Sequence, residues 1–238
     1  MTQCLVVMQP TFLPWSGYFN LIAQADDFII LDDVQLEKQS WQTRNRLIVA
    51  GQPNWISVPI RRTHLAQTIA ETMVVDETHW REKLGRGVSI NYAKHPYFSD
   101  AYDIINYHIS QTTTRLAELN ENTIRYISAK LHLKTRWHRA SALNIVADRT
   151  DRLVAFCNHF SAEEYLSPVG SAEYLEEDGF MIRSPSKLRL QNYIPASYLQ
   201  KGLADFYSHL SIVDVVANMG WDLASEYVRC QQTALVSA

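Results

Sequence analysis

The chain holds three cysteines in 238 residues, Cys4, Cys157 and Cys230, far apart and odd in number. That pattern excludes a disulfide framework and the paired spacing of a zinc site, so three reduced thiols, mostly buried, are expected. Basic residues are not in excess either: 22 Lys and Arg stand against 25 Asp and Glu, a net charge of -3. Without a positive field there is no general attraction to nucleic acid or to an anionic membrane. Any phosphate recognition must then be local. Long hydrophobic runs are also missing. The apolar stretch Cys4-Leu5-Val6-Val7-Met8 has no basic segment before it and is too short for a signal or a membrane span. A cytoplasmic protein with no stable membrane insertion is the expectation. The eight histidines fall at no metal-ligand spacing, and no Ser-His-Asp or Cys-His arrangement is readable. No metal ligand is assigned, and Mg²⁺ would enter only with a bound nucleotide.

What is present is an ordinary apolar content of 47%, enough for a core that needs no staple. Residues 4–9 read as a buried strand. Pro10 and Pro14 bracket a turn, with Pro14 suited to a first helical position. Trp15, Tyr18, Phe19, Ile22 and Ala25 then recur at helical spacing. Asp26-Asp27 breaks the run, and 28–31 is a second buried strand ending at Asp32-Asp33. Strand, helix and strand within about thirty residues is the size of a parallel βαβ unit.

Further along, 47–49 and 55–60 flank a hairpin turn at 50–54, and a strand is expected at 71–75. Helices are expected near 78–90, 98–117 and 121–132, the last capped by Asn120 or Asn122. Another covers 151–160. The last third returns to mixed structure: a strand at 164–166, a helix at 171–177 and a strand at 180–183. Ser211-Ile212-Val213-Asp214 reads as a capping box, with Gly220 at the helix end. The organisation is one α/β domain over 1–230, with a helical insertion at about 78–134 and an unpatterned tail from Gln231 expected to fray.

The segment Gln9-Pro10-Thr11-Phe12-Leu13-Pro14-Trp15-Ser16-Gly17-Tyr18 concentrates the candidate chemistry. A strand entering a helix through a short loop presents free N–H groups, an anion site by geometry and dipole. Gly17 would let a ligand approach the backbone; alternatively, the aromatics fill a core and Gly17 packs tightly. Asp32, at the carboxyl end of a strand, would orient a ribose hydroxyl, an amine or a metal, or else belong to a solvated turn with Asp33. In 38–46, Arg44 and Arg46 suit a diphosphate and Trp41 suits stacking on a base or sugar; incidental loop charge is the alternative. Asn91-Tyr92 and His95–Phe98 suit a sugar pocket or a helix junction. Tyr165-Leu166-Ser167-Pro168 with Gly170-Ser171 resembles a second anion-receptive strand end, to which Lys187 and Arg189 would add charge. Asp214 is explained by capping.

The runs QPTFLPWSGYFNLIAQADDFIILDDVQ, SWQTRNRL, NWISVPI, NYAKHPYF, YLSP and LSIVDVVANMG, in that order, resemble the WbqC-like family. That resemblance implies a bacterial protein associated with surface-polysaccharide loci, including O-antigen loci with modified amino sugars. A deeper similarity places Pro14–Tyr18 where nucleotidylyltransferases and aminoacyl-adenylating enzymes carry an HxGH motif. It implies a Rossmann-like (HUP-type) parallel sheet at the N-terminus with a largely helical middle region. Trp15 and Tyr18 stand where histidines would meet the α-phosphate, so the usual charge stabilisation there is absent.

The expected function is a transferase or ligase that attaches an acyl or aminoacyl group to a nucleotide-linked amino sugar, with ATP and Mg²⁺ in its ATP-dependent form. The alternative is a protein that binds a nucleotide sugar without catalysis. Tyr18, Asp32 and Arg44 are the expected catalytic residues. Gln9, Thr11, Phe12, Trp15, Gly17, Gln35, Trp41, Asn45, Tyr92 and Ser167 are the expected binding residues.

Overall fold

The computed structural model describes residues 3–230; the expectation for the tail from Gln231 lies outside them. The apolar run at the start becomes β1 (Cys4–Met8), followed by α1 (Ser16–Gln24) and β2 (Asp27–Ile30). β1 and β2 pair in parallel, Leu5 opposite Asp27 through Met8 opposite Ile30, which is the expected βαβ unit. A long excursion then intervenes. It contains the hairpin β3 (Arg44–Val49) and β4 (Gln52–Ser57), the short pair β5 (Ile60–Arg61) and β6 (Met73–Val74), and three helices. These are α2 (Trp80–Tyr92), α3 (Phe98–Ser110) and α4 (Leu116–Lys130). The chain re-enters the sheet with β7 (Arg136–Arg139) and continues through α5 (Ala140–Leu143), α6 (Arg149–His159) and β8 (Glu164–Ser167). It closes with α7 (Ala172–Glu177), α8 (Phe180–Arg183), β9 (Lys187–Leu190) and α9 (Ile212–Arg229).

The five strands of the main sheet stand in the order β7-β2-β1-β8-β9, and every pairing is parallel. Renumbered along the sheet's own path, that order is 3-2-1-4-5, a Rossmann-like doubly wound sheet. It reverses direction between β1 and β8, and ligands of such sheets bind outside the carboxyl ends of the strands at that reversal. Side-chain alternation assigns each face a core. Val6, Phe28, Ile30 and Leu166 meet α1, α4 and α9 on one side. Leu5, Val7, Ile29 and Tyr165 meet Phe156, Leu175 and Phe180 on the other.

Several local expectations change. The helix expected over 98–117 stops at Ser110, and α4 begins at Leu116 after Arg115, so neither Asn120 nor Asn122 caps it. Residues 180–183 are helical rather than a strand: Gly179, at φ 69°, starts a turn, and the edge strand comes later as β9. So short an apolar run has no decisive period. Ser211 caps α9 through the Val213 N–H, but the Asp214 side chain turns into the core instead of completing a box. Gly220, at φ 73°, kinks α9 without ending it. The hairpin turn is tighter than 50–54: Ala50 and Gly51, both at positive φ, connect Val49 to Gln52.

At the opposite sheet edge from the ligand side, Asp27 is buried and clamps two strands. Its carboxylate accepts from Arg136 Nε at 2.8 Å and Nη2 at 2.7 Å, and from the Gln3 amide, with His138 Nε2 at 2.8 Å. Burial pushes this carboxyl up, but Arg136 and His138 outweigh it and hold it below its ordinary value. Its contribution to stability is therefore complete above the ordinary aspartate range and is lost as pH falls through the depressed value. Asp27→Asn is expected to cost about 1–3 kcal/mol at pH 7, because the buried acceptor loses its charge while Arg136, 63% exposed, stays solvated. In urea unfolding, the gap from wild type should shrink as pH falls below about 4.

Candidate functional site

The loop between β1 and α1, residues 9–15, lies beside the sheet reversal. Leu13 holds a left-handed backbone at φ 43°, unusual for a branched residue and costly unless its surroundings fix it. They do. Asn45 Nδ2 donates to the carbonyls of Phe12 at 3.1 Å and Leu13 at 2.7 Å. Asn120 Nδ2 donates to Pro10 at 3.1 Å and to the Gln42 carbonyl at 2.8 Å. The Tyr18 hydroxyl donates to the Gln9 carbonyl at 3.0 Å, and the Ile212 N–H to Pro14 at 2.8 Å. The Phe12 N–H donates to the Trp41 carbonyl at 2.8 Å, and the Gln9 and Gln42 side-chain amides pair. Elements from four separate parts of the chain thus set one loop.

Over this loop opens a cavity of about 220 Å³ lined by Thr11, Trp15, Tyr18, Trp41, Asn45 and His209, among others. The volume falls below the ~300–1,000 Å³ of clefts that take a whole drug-sized ligand, so it suits one ring. The walls are suited to a ring as well. Trp15 lies against His209 at a centroid distance of 4.6 Å and against Tyr193 at 5.7 Å. Trp41 meets Trp55 at 5.2 Å, and both indoles are about half exposed. Burial, helped by the charge of Arg46, lowers the His209 pKa below its ordinary value, so the imidazole is a neutral ring at pH 7.

Two guanidinium groups stand beside these rings. Arg44 sits over the Trp55 ring at 4.2 Å. Arg46 lies 5.9 Å from the same ring and reaches the Ser208 and His209 carbonyls only at 3.4 and 3.5 Å. Among the described residues neither has a carboxylate partner, and the Nε of each is buried without a hydrogen bond. Alternation along β3 puts both on one side of the hairpin. Asn45, between them, lines the cavity and the two guanidiniums do not; they reach its rim through Trp55, which meets Trp41, and through the His209 carbonyl. Two uncompensated cations at the rim of an aromatic, ring-sized cavity suit a ring that carries phosphates.

A scan of family models matches residues 9–226 to the WbqC-like protein family. The chain belongs to the WbqC-like family. The Mycobacterium tuberculosis protein Rv1507c, itself described as uncharacterized, is 31% identical over 234 residues, covering 96% of this chain and 99% of its own. No solved structure matches.

In this WbqC-like chain the expected site residues separate into groups. Thr11, Trp15, Trp41 and Asn45 come together at the cavity, and Arg44 lies outside its lining, over Trp55, whose ring meets Trp41. Gln9 serves the loop through its carbonyl and amide. Tyr18 lines the cavity, and its hydroxyl donates to the Gln9 carbonyl at 3.0 Å. Burial and the charge of Glu121 push that hydroxyl well above its ordinary pKa, so it keeps its proton. Phe12 is fully buried, edge-on to His108, and is a core residue rather than a ligand contact. Gly17 is needed for packing: a Cβ there would lie 2.2 Å from the Trp15 indole. Gly17→Ala is therefore expected to displace Trp15 from the cavity wall, read as a shift in tryptophan emission.

Asp32 ends its strand as expected, but its carboxylate accepts from the Ser141 N–H at 3.0 Å and hydroxyl at 2.7 Å. It anchors the start of α5. Gln35 donates to the Leu65 carbonyl at 2.8 Å, in the loop between β5 and β6. Tyr92 is buried, donating to Asp214 at 2.9 Å and accepting from the Ile48 N–H at 2.9 Å, and it lines a small cavity of about 50 Å³ with Leu84 and Val88, apart from the indole cavity. Ser167 is buried at the end of β8. Arg189 is bound to Glu164 at 2.6 Å and Gln24 at 2.6 Å and adds no free charge there.

The sequence offers Asn120 only as a helix cap and gives no site role to Gln42, His209 or Trp55. Asn120 and His209 lie 110 and 195 residues from Pro10 and Pro14, so no local pattern could have found them. Among the described residues no cluster of three His, Cys, Asp or Glu is placed to hold a metal, and no helix is long and apolar enough to cross a membrane.

Proposed function

We propose that the cavity over the β1–α1 loop takes a ring of a nucleotide-linked amino sugar, and that the protein attaches an acyl or aminoacyl group to that sugar in surface-polysaccharide biosynthesis. The observation that carries the reading is the pair of uncompensated guanidiniums, Arg44 and Arg46, beside an indole-walled, ring-sized cavity. The order 3-2-1-4-5 and the rigidly set loop after β1 also favour kinship with nucleotidylyltransferase-like folds, as an analogy of scaffold. In the ATP-dependent form a carboxylate attacks the α-phosphate and pyrophosphate leaves. The sugar amine then attacks the acyl carbon, an amide bond forms, AMP leaves, and the amine's proton passes to solvent. Arg44 and Arg46 would neutralise phosphate charge in that sequence. Mg²⁺ would accompany the phosphates rather than occupy a protein site.

A second reading, binding of a nucleotide sugar without chemistry, is favoured by one observation: Tyr18 and Asp32 are committed to structural partners. Incubation with ATP, a carboxylate panel and a nucleoside-diphosphate amino sugar separates the two. Pyrophosphate release that depends on the amino sugar supports transfer. Stabilisation by the nucleotide sugar without turnover supports the second reading, and neither response contradicts both.

A further inference from the structure

A second cavity, of about 280 Å³, opens at the same carboxyl edge of the sheet, beyond β2 and β7. Asp33, Ser141, Asn144, Ile145, Ala147 and Arg152 line it. Its charged groups have opposite signs and are held side by side. Arg152 Nη1 and Nη2 donate to the two Asp33 oxygens, the first at 2.9 Å, and Nε donates to the Ile145 carbonyl at 3.1 Å. Both side chains are mostly buried, at 16% and 26% exposure.

The hydrogen-bonding inventory is what makes this pair informative. A guanidinium has five N–H groups, and three are used here, leaving two. Each Asp33 oxygen accepts one bond and retains acceptor capacity. The cavity therefore offers single N–H donors of a cation next to an anionic acceptor, without first breaking the pair. Ile145 and Ala147 supply an apolar wall. Asp33 and Arg152 are themselves fixed, because Asp32 anchors the start of α5 through Ser141 and the Ile145 carbonyl steadies the guanidinium.

We propose that this cavity is a binding site for a small zwitterionic α-amino acid. Its ammonium would lie against Asp33, its carboxylate against Arg152 and its side chain against Ile145 and Ala147. A plain anion meets Asp33 as a repelling charge, and a plain cation meets Arg152 likewise; a ligand bearing both charges a few bonds apart satisfies both. The site lies apart from the indole cavity and its binding is independent of the nucleotide-sugar reading. Where it names an aminoacyl rather than a simple acyl donor for the proposed transfer, it rests on that reading.

Calorimetric titration of the full chain with L-alanine, propionate and L-alaninamide tests the proposal on unaltered protein. Saturable binding of L-alanine is expected, at least about tenfold weaker for each analogue that lacks one charge. Arg152→Lys, which keeps the charge and loses the fork, and Ala147→Phe, which fills the cavity, should each lower L-alanine affinity at least about tenfold. Neither should alter nucleotide-sugar binding. No binding of L-alanine, L-serine or L-valine overturns the proposal, as does propionate binding as well as L-alanine or undiminished binding in a folded Ala147→Phe protein. Loss of amino-acid binding with nucleotide-sugar binding intact defeats this inference alone, and the converse defeats only the proposed function.

Discussion

Replacing Arg44 and Arg46 together by alanine should weaken binding of a nucleoside-diphosphate sugar by more than about 100-fold. A hydrogen bond to a charged group contributes about 1.5–3 kcal/mol, so two lost phosphate contacts amount to about 3–6 kcal/mol, and each 1.4 kcal/mol is tenfold. Folding stability should change little by comparison, because neither guanidinium has a carboxylate partner to strand among the described residues. Arg44 rests on the Trp55 ring, a contact of about 0.5–1 kcal/mol at an exposed site. The two effects are separable by calorimetry and urea unfolding on the same preparation. An affinity within about threefold of wild type would remove the phosphate role from both residues.

The largest effect on stability is expected at Asp214. It is fully buried in the first turn of α9 and accepts from Tyr92 at 2.9 Å, Tyr198 at 2.6 Å and Gln200 at 3.0 Å. Tyr92 in turn accepts from the Ile48 N–H, so this network holds the hairpin that carries Arg44 and Arg46. Asp214→Ala leaves three buried donors without their acceptor, at about 1–3 kcal/mol each, offset by release of a buried charge; a net loss of about 3–4 kcal/mol is expected. Burial raises the Asp214 carboxyl above its ordinary value, against the lowering effect of its donors and of His95. The folded state therefore holds that proton more tightly than the unfolded chain. This term favours folding most at low pH and declines as pH rises from the ordinary aspartate value through the raised one, the reverse of Asp27. In urea unfolding followed against pH, Asp214→Asn should lack that decline, and a slope equal to wild type's would contradict the assignment.

These two residues also mark how far the sequence could be read. The βαβ unit and the parallel sheet were legible because β1, α1 and β2 are continuous runs whose apolar spacing changes period within thirty residues. Trp15, Trp41, Asn45 and Arg44 could be nominated because they fall in short polar-aromatic segments beside that unit. Their roles were less legible. Asp214 looked like half of a capping box, since sequence spacing cannot reveal that Tyr92, 122 residues away, waits for its carboxylate. Tyr18 and Asp32 looked catalytic by position, but a position at a strand or helix end does not say whether a backbone group has already taken the side chain. For Gly17 the sequence leaves ligand approach and tight packing open, and the structure shows the packing, against the indole two residues earlier. Asn120 reads as a cap in the sequence, and it instead fixes the β1–α1 loop from the third helix of the excursion.

The central claim is that the cavity over the β1–α1 loop receives a ring of a nucleotide-linked sugar between indole walls. Titration of a nucleoside-diphosphate amino sugar into wild type, Trp15→Leu and Trp41→Leu, followed by tryptophan emission and calorimetry, tests it most directly. The account predicts saturable quenching with wild type and, for each variant, about 5- to 150-fold weaker binding, because one base–aromatic stack is worth about 1–3 kcal/mol. Binding undiminished in both variants, or no binding to the wild-type protein, would contradict it.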